Sequence, residues 1–232
     1  MYKRQLVDYE REITDLDTLR EYEWRGAIDI VSHLTPVTPS TRWLDFGCGL
    51  GGLVRYGRRQ GLDIVGQDEG YAADRMTADG VPSLTTAQLE ADADRFDVIT
   101  AIEVLEHIPN PLAALRTIAR ALRPGGLLFL TTGNARPHRD DIAGWNYVIP
   151  DVHVSFFEPE TLATAYRAVG LEPEYPGFVP GFSDVLRYKI LKSLRKKRQS
   201  TAERLIPWWA VTRLVDRRYQ VSAQPSARAK SM

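Results

Sequence analysis

The ten residues Trp43-Leu44-Asp45-Phe46-Gly47-Cys48-Gly49-Leu50-Gly51-Gly52 constrain this chain more than any other stretch. An apolar run meets three alternate glycines and then Leu53-Val54-Arg55-Tyr56, which can open a helix. That order predicts strand, tight turn and helix, with glycine where the backbone must turn sharply and let a ligand come close. Gly47-x-Gly49-x-x-Gly52 also satisfies a dinucleotide fingerprint, so the glycines alone leave the ligand open.

Asp45 speaks against a dinucleotide. A carboxylate two residues before the first glycine repels a pyrophosphate and suits a ligand that carries an ammonium and a sulfonium. Twenty-one residues after Gly47, a second predicted strand, Asp63–Gln67, ends in Asp68-Glu69-Gly70. A carboxylate at that distance, at the end of the next strand, accepts the ribose hydroxyl protons of an adenosine. Asp68 is the first candidate and Glu69 the second. The chain has 232 residues, enough for one α/β domain with a sizeable core and a small appendage. Cys48 is its single cysteine, so no internal disulfide can form.

Three further signatures follow in order. Phe96–Ile102 reads as a strand running into Glu103-Val104-Leu105-Glu106-His107-Ile108-Pro109. Asn110-Pro111 opens a helix through Leu122, with proline in the first turn where a missing N–H costs little. Arg123-Pro124-Gly125-Gly126 then turns into a strand over Leu127–Thr132. With D-x-G-C-G-x-G these motifs cover residues 42–132. The chain thereby resembles class I S-adenosylmethionine (SAM) dependent methyltransferases, in the branch of ubiquinone-pathway O-methyltransferases and related small-molecule enzymes. His153-x-x-Phe156-Phe157-x-Pro159-Glu160-Thr161-Leu162, before a helix expected to stop at Gly170, extends the likeness.

The resemblance implies an α/β fold, a Rossmann-like seven-stranded mostly parallel sheet with helices on both faces. It implies SAM as cofactor, with Asp45, Gly47, Gly49 and Gly51 at the methionine end, Asp68 or Glu69 on the ribose, and Ile102, Glu103 and Val104 along the cofactor's edge. Many relatives carry a Gly-Asp pair after the third strand for the adenine amino group. This chain has Thr86-Ala87-Gln88 there, which leaves backbone or Gln88 for that contact. The implied reaction is methyl transfer to a small-molecule acceptor, most readily a hydroxyl oxygen, in secondary-metabolite, quinone or envelope-sugar biosynthesis. His153 and His107 are the candidate bases. Glu103-x-x-Glu106-His107 resembles a motif with which a divalent ion has been associated in that branch, yet without further ligands no metal site is expected.

The remaining chain divides into an N-terminal helical cap (1–40), a core (41–178), a basic helical insertion (179–218) and a last strand with tail (219–232). Residues 1–18 are charged and read as loosely ordered. Thr18 and Glu21 suggest a capping box for a helix ended by Pro36 and Pro39. On that helix Tyr22 and Trp24 read as packing residues, with a place beside the sulfonium as the alternative. Val81–Thr85 is a weak third strand and Leu171–Tyr175 the sixth. Residues 133–157 form a long connection rich in polar and aromatic groups, including His138, Trp145 and Tyr147.

The formal charge is zero, but residues 183–218 hold 11 Lys/Arg against 3 Asp/Glu. A basic amphipathic helix is expected over Asp184–Arg198, a second helix over Thr201–Val215 and the last, antiparallel strand over Tyr219–Arg228. The overall charge and the lack of an RNA-binding module argue against nucleic acid. The basic 187–198 segment with Trp208 and Trp209 leaves peripheral membrane contact open. No apolar run approaches a membrane span, and no signal peptide is apparent at Met1–Gln5, so a cytoplasmic protein is expected. Two other readings stay open: a non-catalytic SAM-binding module and an NAD-dependent oxidoreductase.

Overall fold

Alternate residues of the central strands belong to two separate cores, and that alternation fixes the architecture. The computed structural model describes residues 18–91 and 93–230; the N-terminal charged stretch up to residue 17 lies outside them. Its strands are β1 (Arg42–Phe46), β2 (Asp63–Gln67), β3 (Ser83–Leu84), β4 (Phe96–Ile102), β5 (Leu122–Thr131), β6 (Leu171–Glu174) and β7 (Ser226–Ala229). They form one seven-stranded sheet in the order 3-2-1-4-5-7-6. β1 to β5 run parallel, and β7 pairs antiparallel with both β5 and β6.

Trp43, Val98, Leu127 and Phe129 point to one face and join the core under the N-terminal helix α1 (Arg20–Leu34). Their neighbours Leu44, Ile99, Leu128 and Leu130 point to the other, where α5 (Pro111–Ala121) and α6 (Pro159–Ala168) pack. Strands buried on both faces read as continuous apolar runs, as these do. The remaining α-helices among the described residues are α2 (Gly52–Arg59), α3 (Gly70–Ala78), α4 (Thr86–Ala91), α7 (Gly181–Ser193) and α8 (Trp208–Tyr219).

α1 and α7 cross at two glycines. A Cβ on Gly26 would stand 2.6 Å from the Gly181 carbonyl, and one on Gly181 would stand 2.5 Å from that of Gly26. Only glycine at both positions lets the two backbones touch. This crossing locks the helical pair between β6 and β7 onto the N-terminal helix.

Several expectations need correction. The Thr18 side chain makes no cap within α1's first turn beyond its 3.3 Å contact with the Arg20 amide. The helix expected over Thr201–Val215 is split: a 3₁₀ turn covers Thr201–Leu205 and α8 starts after Pro207. Proline cannot sit inside a helix without losing a hydrogen bond, so it marks the entry to α8 instead. α8 then runs on to Tyr219, where Gln220 turns left-handed at φ 50°. The last strand accordingly begins only at Ser226, not at Tyr219. Pairing of β5 begins early, at Leu122 with Phe96, and a register shift absorbs the Arg-Pro-Gly-Gly turn.

Candidate active site

The sheet's carboxyl edge gathers the motifs. Gly47, Gly49 and Gly51 adopt φ of 67°, 57° and 74°, a region that side-chain-bearing residues avoid. The amides of Gly47 and Cys48 both donate to the Gln67 carbonyl, at 2.8 and 3.1 Å. The amide of Gly49 donates to Asp68 Oδ2 at 2.6 Å and that of Glu69 to Oδ1 at 2.7 Å. Asp68 thus ties the ends of β1 and β2 together. Burial raises its carboxyl pKa, against the pull of those two amides. Glu69 accepts from Thr86 Oγ1 at 2.9 Å.

Behind the turn lies a buried chain. Trp43 Nε1 donates to Thr100 Oγ1 at 3.1 Å, and Thr100 donates to Asp45 Oδ1 at 2.7 Å. Burial pushes the Asp45 carboxyl up to about 7, with the Thr100 hydrogen bond opposing. Asp45 lines a small pocket of about 50 Å³ with Arg20, Glu23, Trp24, Gly47 and Ile102. Trp24 lies so close that a Cβ on Gly52 would be 2.3 Å from its ring. Tyr22 faces elsewhere, with the Arg187 guanidinium 3.9 Å from its ring centroid.

Gly47 also borders a second, larger cleft of about 900 Å³. Asp68, Glu69, Thr86, Leu89, Val104 and His107 are among its walls. Gln88 is not; its Oε1 accepts from the Thr85 amide at 2.8 Å and caps its own helix. Around the two spaces the carboxylates Glu23, Asp45, Asp68, Glu69 and Glu103 far outnumber the cations. Such a lining suits a positively charged ligand better than a pyrophosphate.

Past β4 the backbone turns left-handed at Glu103, φ 54°. Its carboxylate accepts from Lys189 Nζ of α7 at 3.1 Å, from Thr131 Oγ1 at 3.2 Å and from Tyr147 OH at 3.0 Å. Tyr147 also bonds Glu106, whose other oxygen accepts from Thr132 Oγ1 at 2.9 Å. Burial acts against the Glu103 charge, but Lys189 and these donors outweigh it and lower its pKa. Burial, and then the Glu103 charge, raises that of Glu106. One phenol proton cannot serve two ionised carboxylates at once, so Glu103 and Glu106 compete for it, with Glu103 the more readily ionised of the two.

Tyr147 pins the 133–157 connection over the site. Its ring stacks on Trp145 at 4.8 Å and lies tilted against His153 at 4.4 Å, and His153 meets His107 edge-on at 4.7 Å. His107 Nδ1 lies 3.0 Å from the Val152 carbonyl, and His153 Nδ1 lies 2.5 Å from that of Tyr147. A carbonyl only accepts, so both rings carry hydrogen on Nδ1, and in each neutral ring Nε2 keeps its lone pair. His107 lines the cleft, whereas His153 stands beside it and is not among the lining residues. Glu106, His107 and His153 also bring one ligand atom each within 4.8 Å of one another. That set differs from the Glu103-Glu106-His107 set of the motif, because Glu103 is engaged by Lys189.

Sequence reasoning missed Lys189, Glu23 and Arg20 as neighbours of the site. Lys189 reads as one more cation of a basic helix, and its partner Glu103 is 86 positions away.

A family model described as a methyltransferase domain matches residues 17–175. The chain belongs to the class I SAM-dependent methyltransferases. SAM is the methyl donor of that family. A ubiquinone biosynthesis O-methyltransferase from Aeromonas salmonicida is 36% identical over 149 residues, 56% of this chain and 62% of the relative. The match thus spans a little under two thirds of that relative's length. Among solved structures, the methyltransferase complexed with the Haloferax volcanii Trm112 activator aligns with TM-score 0.59 and 16% identity over 92% of each chain. The [4+2]-cyclase SpnF aligns with TM-score 0.53 and 23% identity, over 88% of this chain and 80% of that one. The fold therefore carries more than one reaction, and the site must decide. No helix among the described residues is long and apolar enough to cross a membrane.

Proposed function

We propose that this chain transfers the methyl group of SAM to a hydroxyl oxygen of a small-molecule acceptor. The observation that carries the reading is the His107 ring on the wall of the large cleft, its Nδ1 committed to the Val152 carbonyl. That bond leaves Nε2 to take the acceptor's proton, and a base so placed contributes roughly 10²–10⁴ in rate. His153, held the same way against His107, keeps that ring in position.

SAM, when bound, supplies an electrophilic methyl group on a positively charged sulfur. The chain's residues hold and align. Gly47, Gly49 and Gly51 leave the backbone bare beside the methionine end, and Asp45 faces its ammonium. Asp68 takes the ribose hydroxyls, with Glu69 beside it. Ile102, Glu103 and Val104 run along the cofactor's edge. The 133–157 connection, pinned by Tyr147, excludes water from the reacting atoms. The acidic lining supports SAM over NAD. The ubiquinone-pathway relatives make phenols the first acceptors to try, ahead of amines.

Calorimetric titration with S-adenosylhomocysteine and NAD, on the protein and on Asp68→Ala, tests the cofactor. Micromolar binding of the former, weakened in the variant with NAD silent, is expected. A turnover assay on phenols and amines tests the acceptor class. Transfer to amines alone, or full phenol turnover by His107→Gln, refutes the base assignment.

A further inference from the structure

The helical insertion leaves a surface that cofactor chemistry does not explain. Residues 191–220 hold nine Lys/Arg and two carboxylates. Both carboxylates are spent internally. Glu203 is buried and pairs with Arg187 at 3.1 Å, and Asp216 accepts from the Ser222 amide and hydroxyl at 2.7 Å each. Arg195, Lys196, Lys197, Arg217 and Arg218 are all exposed and form no ion pair with a described residue. The cation run read from the sequence over 187–198 is thus two things. Arg187 and Lys189 turn inward to Glu203 and Glu103, and the cations after Leu191 face out.

Large apolar side chains lie among these cations. Leu205 is 88% exposed, Trp209 66%, Leu214 65% and Leu194 65%, with Ile206 39% exposed. Leu205, Ile206 and Trp209 follow one another through the 3₁₀ turn and the first turn of α8, so they form one apolar edge. The Arg213 guanidinium sits 5.9 Å from the Trp209 ring centroid, beside that edge.

We propose that the end of α7, the 3₁₀ turn and α8 dock on an anionic phospholipid surface, with Leu205, Ile206 and Trp209 entering the interface and Arg195, Lys196, Lys197, Arg217 and Arg218 meeting the headgroups. Charge complementarity selects the partner. A second copy would bring the same uncompensated cations against these. A nucleic acid would satisfy the charge but leave the leucines and Ile206 in water. A bilayer interface satisfies both, as basic amphipathic helices with tryptophan do. α7 carries Lys189 to Glu103, so the docked helix is also tied to the site through that ion pair. The proposal goes beyond methyl transfer and does not depend on it.

The test is flotation of the full chain with vesicles of phosphatidylcholine alone and of phosphatidylcholine mixed with phosphatidylglycerol, at low and high salt. Binding to the anionic vesicles only, lost at high salt, with a blue shift of tryptophan emission, is expected. Reversing Arg195, Lys196 and Lys197 to glutamate should weaken it roughly a hundredfold. Trp209→Ala should weaken it and reduce the blue shift. Both variants change exposed residues and should keep the wild-type circular dichroism. Equal binding to neutral vesicles, or none to either, overturns the proposal. So does binding of an oligonucleotide without vesicle binding, or a concentration-dependent dimer abolished by Trp209→Ala without vesicle binding.

Discussion

Replacing Asp45 with asparagine should make the protein more stable at alkaline pH and no more stable in acid. Asp45 is 4% exposed, and burial holds its carboxyl at about 7 instead of the ordinary 3.8. The folded state therefore keeps a proton that the unfolded chain has already lost. Stability falls as pH rises from about 4 to about 7, and the whole cost is present above that. The displacement corresponds to roughly 4 kcal/mol. Asparagine is neutral at every pH, and its Oδ1 can still accept from Thr100, so it removes the cost without opening a cavity. For a chain of this size that is a rise in Tm of roughly 8–15 °C near pH 8. Near pH 5 the difference should shrink to about two-fifths of that. Urea unfolding at both pH values, wild type against variant, isolates Asp45, because the other buried carboxylates are common to both. The same variant should lose affinity for S-adenosylhomocysteine, since the ammonium has lost its counter-charge. An equal Tm change at both pH values, or a variant less stable near pH 8, would refute the reasoning.

Three further outcomes are expected. Gly47→Ala places a methyl 2.5 Å from Val104 Cγ1 at a φ of 67°, and should abolish cofactor binding by calorimetry; adding Val104→Ala should restore part of it by relieving the clash. Lys189→Met leaves Glu103 without its cation, and should cost about 1–2 kcal/mol in urea unfolding, less than a fully buried pair because Lys189 keeps contact with water. His107→Gln should lower kcat on phenols by roughly 10²–10⁴ while leaving the KM for SAM near wild type, and the residual rate should climb with pH as the acceptor ionises unaided.

The parts of this fold that could be read in advance are those where one short stretch dictates its own geometry. Gly47 to Gly52 demands a tight turn wherever it sits, and the apolar runs at Phe96 and Leu127 can only be buried strands. The place of Asp68 just past the end of β2 was legible because its distance from Gly47 is set by one β–α–β unit. The C-terminal part was not. Pro207 inside an apolar, helix-like pattern is a local signal for a break, yet the rest of the pattern hid it. The strand Ser226–Ala229 is four small or polar residues whose conformation comes from the two neighbours it bridges. At the site, the aromatic connection was visible as a composition but not as a stack. That Tyr147 would cap two carboxylates from β4's end is a matter of tertiary placement, and no spacing encodes it.

The antiparallel strand between β5 and β6 has a consequence for how the chain is made. Glu174 and Ser226 are partners in the sheet, yet β6 is complete some 50 residues before β7 begins. As the polypeptide leaves the ribosome, β6 emerges beside an edge that has no place for it. The two helices and the turn between them must form, or at least pass, before its neighbour arrives. Growth of the sheet from β1 to β5 can keep pace with synthesis. Closure of its far edge cannot, and the whole 179–225 segment waits on it, exposed cations and tryptophan included.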